Sequence, residues 1–412
     1  MKKNTLPIAL LLILLTLIIF FIFDKDEPLL FLTWENEDTS HTMTINYLSE
    51  SKSQEATVFY DTVPRGGQPE NYSRQARGTV RSYPGITFAM HSIELVNLDP
   101  KENYYFIAGD ADTGYTHERK FRTVPLKGDI RFISGGDASV SPAFEKVSKI
   151  AAESSPHFAI IGGDIAYADG DINLQHIWLE FLSIWKNTMV TPDGFTIPLI
   201  AAIGNHEIND TDYRPTQTVR DHAPFYFLLF HPAEVKTFFK RKLGNNSILF
   251  ILDTDHIYSS DGEQLKWMKN SFPLHAKDNF RFASYHVPLY PSFRDPEADA
   301  HVLLRKNWLK TFDQYRLDVA FENHEHALKK SRLLKNNKVS ETSGTYYLGD
   351  GDWGTDSFTP DNRWYLENFR AVNHVWSVTL NAQKASFKVL TIDGVDKSYS
   401  FDIPAKSHGV IN

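Results

Sequence analysis

Cysteine is absent from all 412 residues, which excludes disulfides and thiolate metal sites, so stability has to come from packing and bound metal. An excess of positive charge is missing as well. The 43 Lys and Arg stand against 51 Asp and Glu, a formal net charge of −8, and this argues against sequence-independent binding to nucleic acid. No tandem repeat or low-complexity tract interrupts the chain, and a hydrophobic share of 42% suits a folded protein. Single cores stop growing at roughly 250–300 residues, so at least two domains are expected.

The N-terminus holds the one long apolar run. Lys2 and Lys3 precede Leu6–Phe23, and Asp24-Lys25-Asp26-Glu27 follows it. Eighteen residues of helix reach roughly 27 Å, close to a bilayer's hydrocarbon thickness and longer than a signal-peptide core of about 7–15 residues. No small-x-small cleavage site closes the run. The expectation is an uncleaved anchor with its lysines in the cytoplasm and the body outside, at a cell surface or in a periplasm, or secreted if the segment is cut.

From about Leu29 to Thr123 the pattern is alternating and β-like, as in Met43–Tyr47, Ala56–Tyr60 and Tyr104–Ala108, with Gly, Pro, Asn and Ser clusters between the runs. Leu98-Asp99-Pro100 leading to Tyr104, together with an early Trp34, resembles the turn, tyrosine and core aromatic of fibronectin type III domains. After Pro125 strands and helices alternate. Arg131–Ile133, Phe158–Ile161, Ile197–Ile200, Ile248–Ile251 and Phe282–Tyr285 read as strands, Phe144–Ala152 as a helix, and Ser260-Asp261-Gly262-Glu263 as a capping box for a helix through Trp267. The expected division is an anchor or signal segment at 1–27, a β-sandwich at 28–125, an α/β domain at 126–405 and a tail at 406–412.

Five polar blocks then stand out, because each follows directly on an apolar strand: Gly135-Gly136-Asp137, Gly163-Asp164-Ile165-Ala166-Tyr167, Gly204-Asn205-His206-Glu207, Tyr285-His286 and His324-Glu325-His326. Ligands of open α/β sheets bind at the carboxyl-terminal rim, where side chains from separate strands point at a common centre, so one shared rim is expected. Asp164 can bridge two cations with its two oxygens, while His286, His324, His326 and the amide oxygen of Asn205 complete the shells without excess negative charge. A lone Gly-Asp after a strand is ordinarily a capped helix start, and a lone His-x-His an ordinary strand end. Five such blocks in order are not. His157, His176, His222, His231 and His374 have no comparable setting and are assigned no role.

The five blocks resemble the motifs of the purple acid phosphatases and, more widely, of the calcineurin-like metallophosphoesterases. Gln264-Leu265-Lys266-Trp267 is similar to that family's mid-domain Gln-x-x-Trp. The resemblance implies a layered α/β metallophosphoesterase domain, a β-sandwich flanked by helices, preceded by the fibronectin III-like sandwich; the N-terminal transmembrane helix read from the apolar run completes the expected architecture. It implies that Asp137, Asp164, Tyr167 and His326 hold a first metal and Asp164, Asn205, His286 and His324 a second, with His206 unligated and facing substrate. A phenolate from Tyr167 is a hard anionic donor that favours Fe(III) and would colour the protein purple. The second position suits Zn(II), Mn(II) or Fe(II). Two cations about 3.5–4 Å apart can hold phosphate oxygens and lower the pKa of a bound water, and His206 could protonate the departing alcohol.

The chain departs from the family pattern at Asn323, where Gly is usual, and the expectation is a loop that survives through asparagine's tolerance of φ > 0 while the side chain narrows access. The stretch Pro288–Ala300 lacks the histidines of plant-type members and offers Tyr290 and Arg294; Arg294 reads as a solvated loop arginine before a phosphate contact. The expected function is hydrolysis of small phosphate monoesters by metal-activated hydroxide, of acid-phosphatase type. A phosphodiesterase or nucleotide hydrolase on the same site and a non-catalytic surface binding module are the alternatives. The sequence leaves oligomeric state open.

Overall fold

The computed structural model describes residues 27–50, 55–111, 114–209, 219–230 and 236–406. The first nine strands build a sandwich of two antiparallel sheets. One runs Leu30–Thr33 (β1), Met43–Ser49 (β2), Ala89–Leu95 (β6), Thr79–Arg81 (β5); the other runs Arg74–Arg77 (β4), Thr57–Asp61 (β3), Asn103–Asp110 (β7), Gly114–Tyr115 (β8), with Arg119–Arg122 (β9) also on β7. The backbone N–H of Asp99 donates to the Tyr104 hydroxyl at 2.8 Å, so the expected tyrosine pins the turn before its own strand. Trp34 is buried, donates from Nε1 to the Thr42 carbonyl, and meets Phe158 of the next domain edge-on at 5.9 Å.

The α/β domain consists of two strand-helix-strand-helix-strand units. In the first, Ile130–Gly135 (β10), Phe158–Ile161 (β11) and Leu199–Ala201 (β12) are parallel, joined by helices Pro142–Glu153 (α1) and Gln175–Thr188 (α2). Antiparallel strands His374–Leu380, Lys384–Thr391 and Gly394–Pro404 extend that sheet beyond β10. In the second, Phe239–Lys242 (β13) edges the parallel strands Ser247–Ile251 (β14), Phe280–Ser284 (β15) and Val319–Phe321 (β16), with helices Glu263–Ser271 (α3) and Asp299–Tyr315 (α4) as crossovers; Tyr346–Gly349, Leu328–Ser331 (β17) and Leu366–Arg370 complete the sheet.

Both faces of these parallel strands are covered, which is why they read as continuous apolar runs. Phe132, Phe158, Ile160, Phe282 and Phe321 point between the sheets, where Phe132 stacks on Phe158 at 5.1 Å and meets Phe282 edge-on at 5.7 Å. Ile133, Ala159 and Ile161 face α1 and α2, while Ile248, Phe250 and Ala320 face α3 and α4. The layers are therefore helix, sheet, sheet, helix, and the polar blocks leave from two sheets rather than from one rim. A continuous apolar run specifies that a strand is buried on both faces but not which strands share a sheet.

Among the described residues no helix is long and apolar enough to cross a membrane. This corrects the expected N-terminal transmembrane helix as an element of the described fold. The longest described helix is α4 at 17 residues, a crossover that buries one face through His301, Leu304, Trp308, Thr311 and Phe312. The run Leu6–Phe23 lies outside the described residues. Glu27, at the end of the expected anchor segment, is buried in the folded body, where it binds Arg119 of β9 at 2.9 Å and Lys186 of α2 at 2.9 Å. The capping box before α3 is a second correction. Gly262, which has no side chain to cap with, is the N-cap, while the Ser260 N–H donates to Asp255 and its hydroxyl accepts from Asn307 on α4. At α1, by contrast, Ser141 caps the Phe144 N–H at 3.1 Å, with Pro142 in the first turn.

Candidate metal centre

Asp137 follows β10, Asp164 and Tyr167 follow β11, Asn205 and His206 follow β12, His286 follows β15, and His324 and His326 follow β16. The two sheets present these loops to each other, and the donor atoms fall into two adjoining groups. In the first, Asp137 Oδ1 lies 3.1 Å from His326 Nε2 and 3.2 Å from the Tyr167 hydroxyl, which is itself 3.0 Å from His326 Nε2. In the second, His286 Nε2 lies 3.0 Å from each of three atoms, Asp164 Oδ2, Asn205 Oδ1 and His324 Nδ1. Asp164, His286 and His324 can each offer an atom within 4.8 Å of the others.

A single imidazole nitrogen carries either one proton or one lone pair, so His286 Nε2 cannot satisfy three polar neighbours by hydrogen bonding. Donor atoms packed this closely against one another are what a cation resolves, and the set fits one. The outer nitrogens are already spoken for: His286 Nδ1 faces the Gly162 carbonyl at 3.1 Å and His326 Nδ1 the Asp356 carbonyl at 3.2 Å, which turns each Nε2 lone pair inward. Charge agrees. Burial alone would lower His286, but Asp164 and Asp137 raise it above the usual imidazole range, while burial and the neighbouring His286 drive His324 well below it. Burial and the carboxylates of Asp137 and Asp164 push the Tyr167 phenol up, so without a cation it keeps its proton.

The backbone is unusual at these positions. Asp137 (φ 54°), Asp164 (φ 51°), Tyr167 (φ 62°), His324 (φ 78°) and His326 (φ 49°) all sit in the left-handed region, where L residues cost energy and occur when surrounding structure imposes them, commonly at functional sites. Close approach matters too. Gly351 has φ 63°, and a Cβ there would lie 1.7 Å from Asp137 Oδ2.

Asn323 behaves differently from expectation. The left-handed angles fall on His324 and His326, and Asn323 is not among the positive-φ residues. Its side chain is buried and donates from Nδ2 to the Tyr285 carbonyl at 2.7 Å, filling the space left by Gly136 and Gly162, where a Cβ would lie 2.4 Å and 1.9 Å from its amide. It packs between the loops and does not narrow the mouth. Arg294 is not simply a solvated loop residue either, since it donates to the His324 carbonyl at 2.8 Å and to Glu325 at 2.9 Å.

Several residues that support the site were given no role from sequence. Glu207 is buried and accepts the backbone N–H groups of Asp164, Ile165 and Gly204, each at 2.7 Å, tying the second block to the third. Glu325, fully buried, accepts from Phe293 and Arg294 N–H and so holds the stretch after His286. Lys329 binds Glu322 at 2.6 Å and Asp350 at 2.7 Å with no exposure of any of the three, and Glu322 also accepts from the Tyr285 hydroxyl and the Leu289 N–H. Asp169 hydrogen-bonds His206 Nδ1. Gln264 clasps both backbone groups of Asp253, so the Gln of the Gln-x-x-Trp pattern braces a loop behind His286. The one signal for Glu325 was its place between two candidate ligands, since the residue in the middle of His-x-His has to point elsewhere.

With this geometry in hand, comparison with known proteins is informative. Residues 29–123 match the purple acid phosphatase N-terminal domain and residues 116–328 match the calcineurin-like phosphoesterase family. The chain is 23% identical over 322 residues to probable purple acid phosphatase 20 of Arabidopsis thaliana, covering 76% of this chain and 71% of that protein. It is 23% identical over 330 residues to purple acid phosphatase 22 of the same plant, covering 76% and 69%. A purple acid phosphatase from yellow lupin (Lupinus luteus) seeds superposes with a TM-score of 0.74 at 16% identity, over 92% of this chain and 74% of that one. At that identity the likeness shows the fold.

Proposed function

Because the chain belongs to the calcineurin-like phosphoesterases and carries a purple acid phosphatase N-terminal domain, we propose that it hydrolyses phosphate monoesters, as an acid phosphatase, at a dinuclear centre of Fe(III) and a divalent ion, Zn, Mn or Fe(II). In this reading Asp137, Asp164, Tyr167 and His326 take the first ion and Asp164, Asn205, His286 and His324 the second. The observation that carries it is the crowding of Asp164, Asn205 and His324 about one nitrogen of His286. The ions, when bound, would supply charge to hold the phosphate oxygens and lower the pKa of water.

The remaining work falls to side chains. His206 is 30% exposed at the mouth of the site, with Nδ1 on Asp169 and Nε2 at 3.9 Å from Asp164 Oδ2. Asp169 holds Nδ1 and orients the imidazole, so that Nε2 is aimed to protonate the departing alcohol oxygen. Tyr167 lies against the same ring at 4.2 Å between centroids and limits its rotation. Glu207 and Glu325 keep the loops in register.

The test is elemental analysis and a visible spectrum of protein prepared with iron and a divalent metal present, with turnover of p-nitrophenyl phosphate and of its bis-ester. Iron with a broad visible absorption, and the monoester turned over faster, is the expected result. Folded protein with only trace iron would overturn the metal assignment, and faster turnover of the diester would overturn the monoesterase reading.

A further inference from the structure

One stretch of chain, unused by the chemistry above, touches two members of the first donor group. After the strand Tyr346–Gly349, the Trp353 N–H donates to the Gly136 carbonyl at 3.0 Å and the Gly354 N–H to the Asp137 carbonyl at 3.1 Å. Further on, the Phe358 N–H donates to the His326 carbonyl at 2.8 Å, and the Asp356 carbonyl faces His326 Nδ1 at 3.2 Å. The Phe358 ring lies flat on the same imidazole, with 5.0 Å between centroids and 7° between planes. What folds this stretch is the carboxyl group of Asp352, a residue with no exposure to solvent. Its Oδ2 accepts from the Ser357 hydroxyl at 2.5 Å and its Oδ1 from Asn373 Nδ2 at 2.8 Å, and that Nδ2 donates also to the Thr355 carbonyl at 2.7 Å. Both neighbours of Asp356 are thereby fixed, Thr355 through its carbonyl and Ser357 through its hydroxyl, and the carbonyl between them is held toward the imidazole. Burying a carboxyl group to close a surface turn is costly, and exposed side chains close such turns without that cost. The turn closed here carries the acceptor of a candidate ligand.

We infer that Asp352 is a positioning residue for the candidate centre: with Ser357 and Asn373 it forms a clasp that turns Nε2 of His326 toward the first ion and keeps it there. The inference rests on the metal reading above and adds to it what holds the ligand. An acceptor fixed on the outer nitrogen of a metal-bound histidine sets its tautomer and ring orientation, and losing such a partner typically costs about 10–100-fold in metal affinity. Asp352 itself touches no substrate and moves no proton.

The discriminating variant is Ser357→Ala, because Ser357 is exposed and removing one surface hydroxyl is ordinarily close to neutral for the fold. Metal-loaded wild type, Ser357→Ala, Ser357→Thr, Asp352→Ala and Asp352→Asn are titrated with chelator while iron content and visible absorption are followed. Melting of each metal-free protein is measured alongside, and NMR of the metal-free, histidine-labelled proteins follows exchange of the His326 Nδ1 proton with solvent. Ser357→Ala and Asp352→Ala should release iron about 10–100-fold more readily than wild type and exchange that proton faster, Ser357→Ala without a change in metal-free melting. Ser357→Thr keeps the hydroxyl, and Asp352→Asn keeps an acceptor for Asn373 and a partner for Ser357, so both should behave as wild type. Iron release and proton exchange unchanged in Ser357→Ala would overturn the clasp while leaving the metal reading intact, whatever Asp352→Ala loses through its fold. Wild type that binds no iron would overturn the metal reading, and proton exchange would then decide the clasp: faster in Ser357→Ala keeps it, and unchanged discards it.

Discussion

Asp169 closes on Nδ1 of His206, and the ring it holds is the one imidazole of the site that does not crowd into either group of donor atoms. This separates the proposed proton donor from the expected metal ligands more sharply than the order of residues along the chain does. His206→Ala is expected to keep metal and colour and to lose about 10²–10⁴-fold in kcat, the usual contribution of a positioned acid. Asp169→Asn removes only the partner that orients and steadies the ring, and is expected to cost about 10–100-fold with metal retained. Bleaching of either variant would show that His206 is a ligand.

Asp164 is the single carboxylate expected to serve both ions, and it lies beside His286 at 3.0 Å. Asp164→Asn should lose at least one metal per chain by elemental analysis. Metal bound only by the native state adds RT ln(1 + [L]/Kd) to the unfolding free energy, about 4 kcal/mol at a thousandfold excess over Kd. A chelator should accordingly lower the melting temperature of wild type and do so less in the variant; equal melting of wild type with and without chelator would count against a bound metal.

Lys329 lies between the carboxylates of Glu322 and Asp350 with no exposure to solvent. Lys329→Met would leave two buried acids without a counter-charge, and breaking such a pair typically costs about 3–5 kcal/mol. The denaturation midpoint should fall by a corresponding amount. Because Glu322 also holds Tyr285 and Leu289, on either side of His286, metal affinity should fall with stability. A midpoint within error of wild type would remove this triad from any account of how the site is held.

Burial pushes the Glu27 carboxyl up, but the hydrogen bonds and charges of Arg119 and Lys186 more than reverse this and hold it below the ordinary glutamate range. A depressed carboxyl stabilises the fold above its unfolded pKa, near 4.5, and that contribution is lost as pH falls through the lower folded value. Glu27→Gln should cost about 1.5–3 kcal/mol at neutral pH, the scale of a hydrogen bond to a charged group. The gap from wild type should shrink as acid is added below pH 4.5. A gap that stays constant down the acid limb would mean that the charge of Glu27 does not matter.

The site was legible where chemistry demands particular residue types at strand ends. Asp, Asn and His after a buried apolar run are uncommon enough together that order and number identify them. What escaped were residues whose role arises only when distant segments meet. Asp169 looks like an ordinary loop acid two places after Tyr167, and nothing local ties it to His206. Glu322, Lys329 and Asp350 are joined through β16, β17 and the strand at Tyr346–Gly349, a pairing no periodicity reveals. Asn323 was read as a substitute for glycine conformation, although its task is to fill the gap between two glycine-bearing loops. The double sheet was expected from the family resemblance alone, since strands covered on both faces look alike in pattern whether they belong to one sheet or two.

Trp34 against Phe158 makes the hydrophobic interior of the sandwich continuous with that between the two sheets, and Arg241 and Thr39 bond across the same seam. Severing the polypeptide near residue 125 would therefore tear an apolar wound in each half instead of freeing a separate catalytic module. The sandwich acts as the floor on which half of the catalytic scaffold is laid, and the smallest piece that keeps its solubility has to retain both.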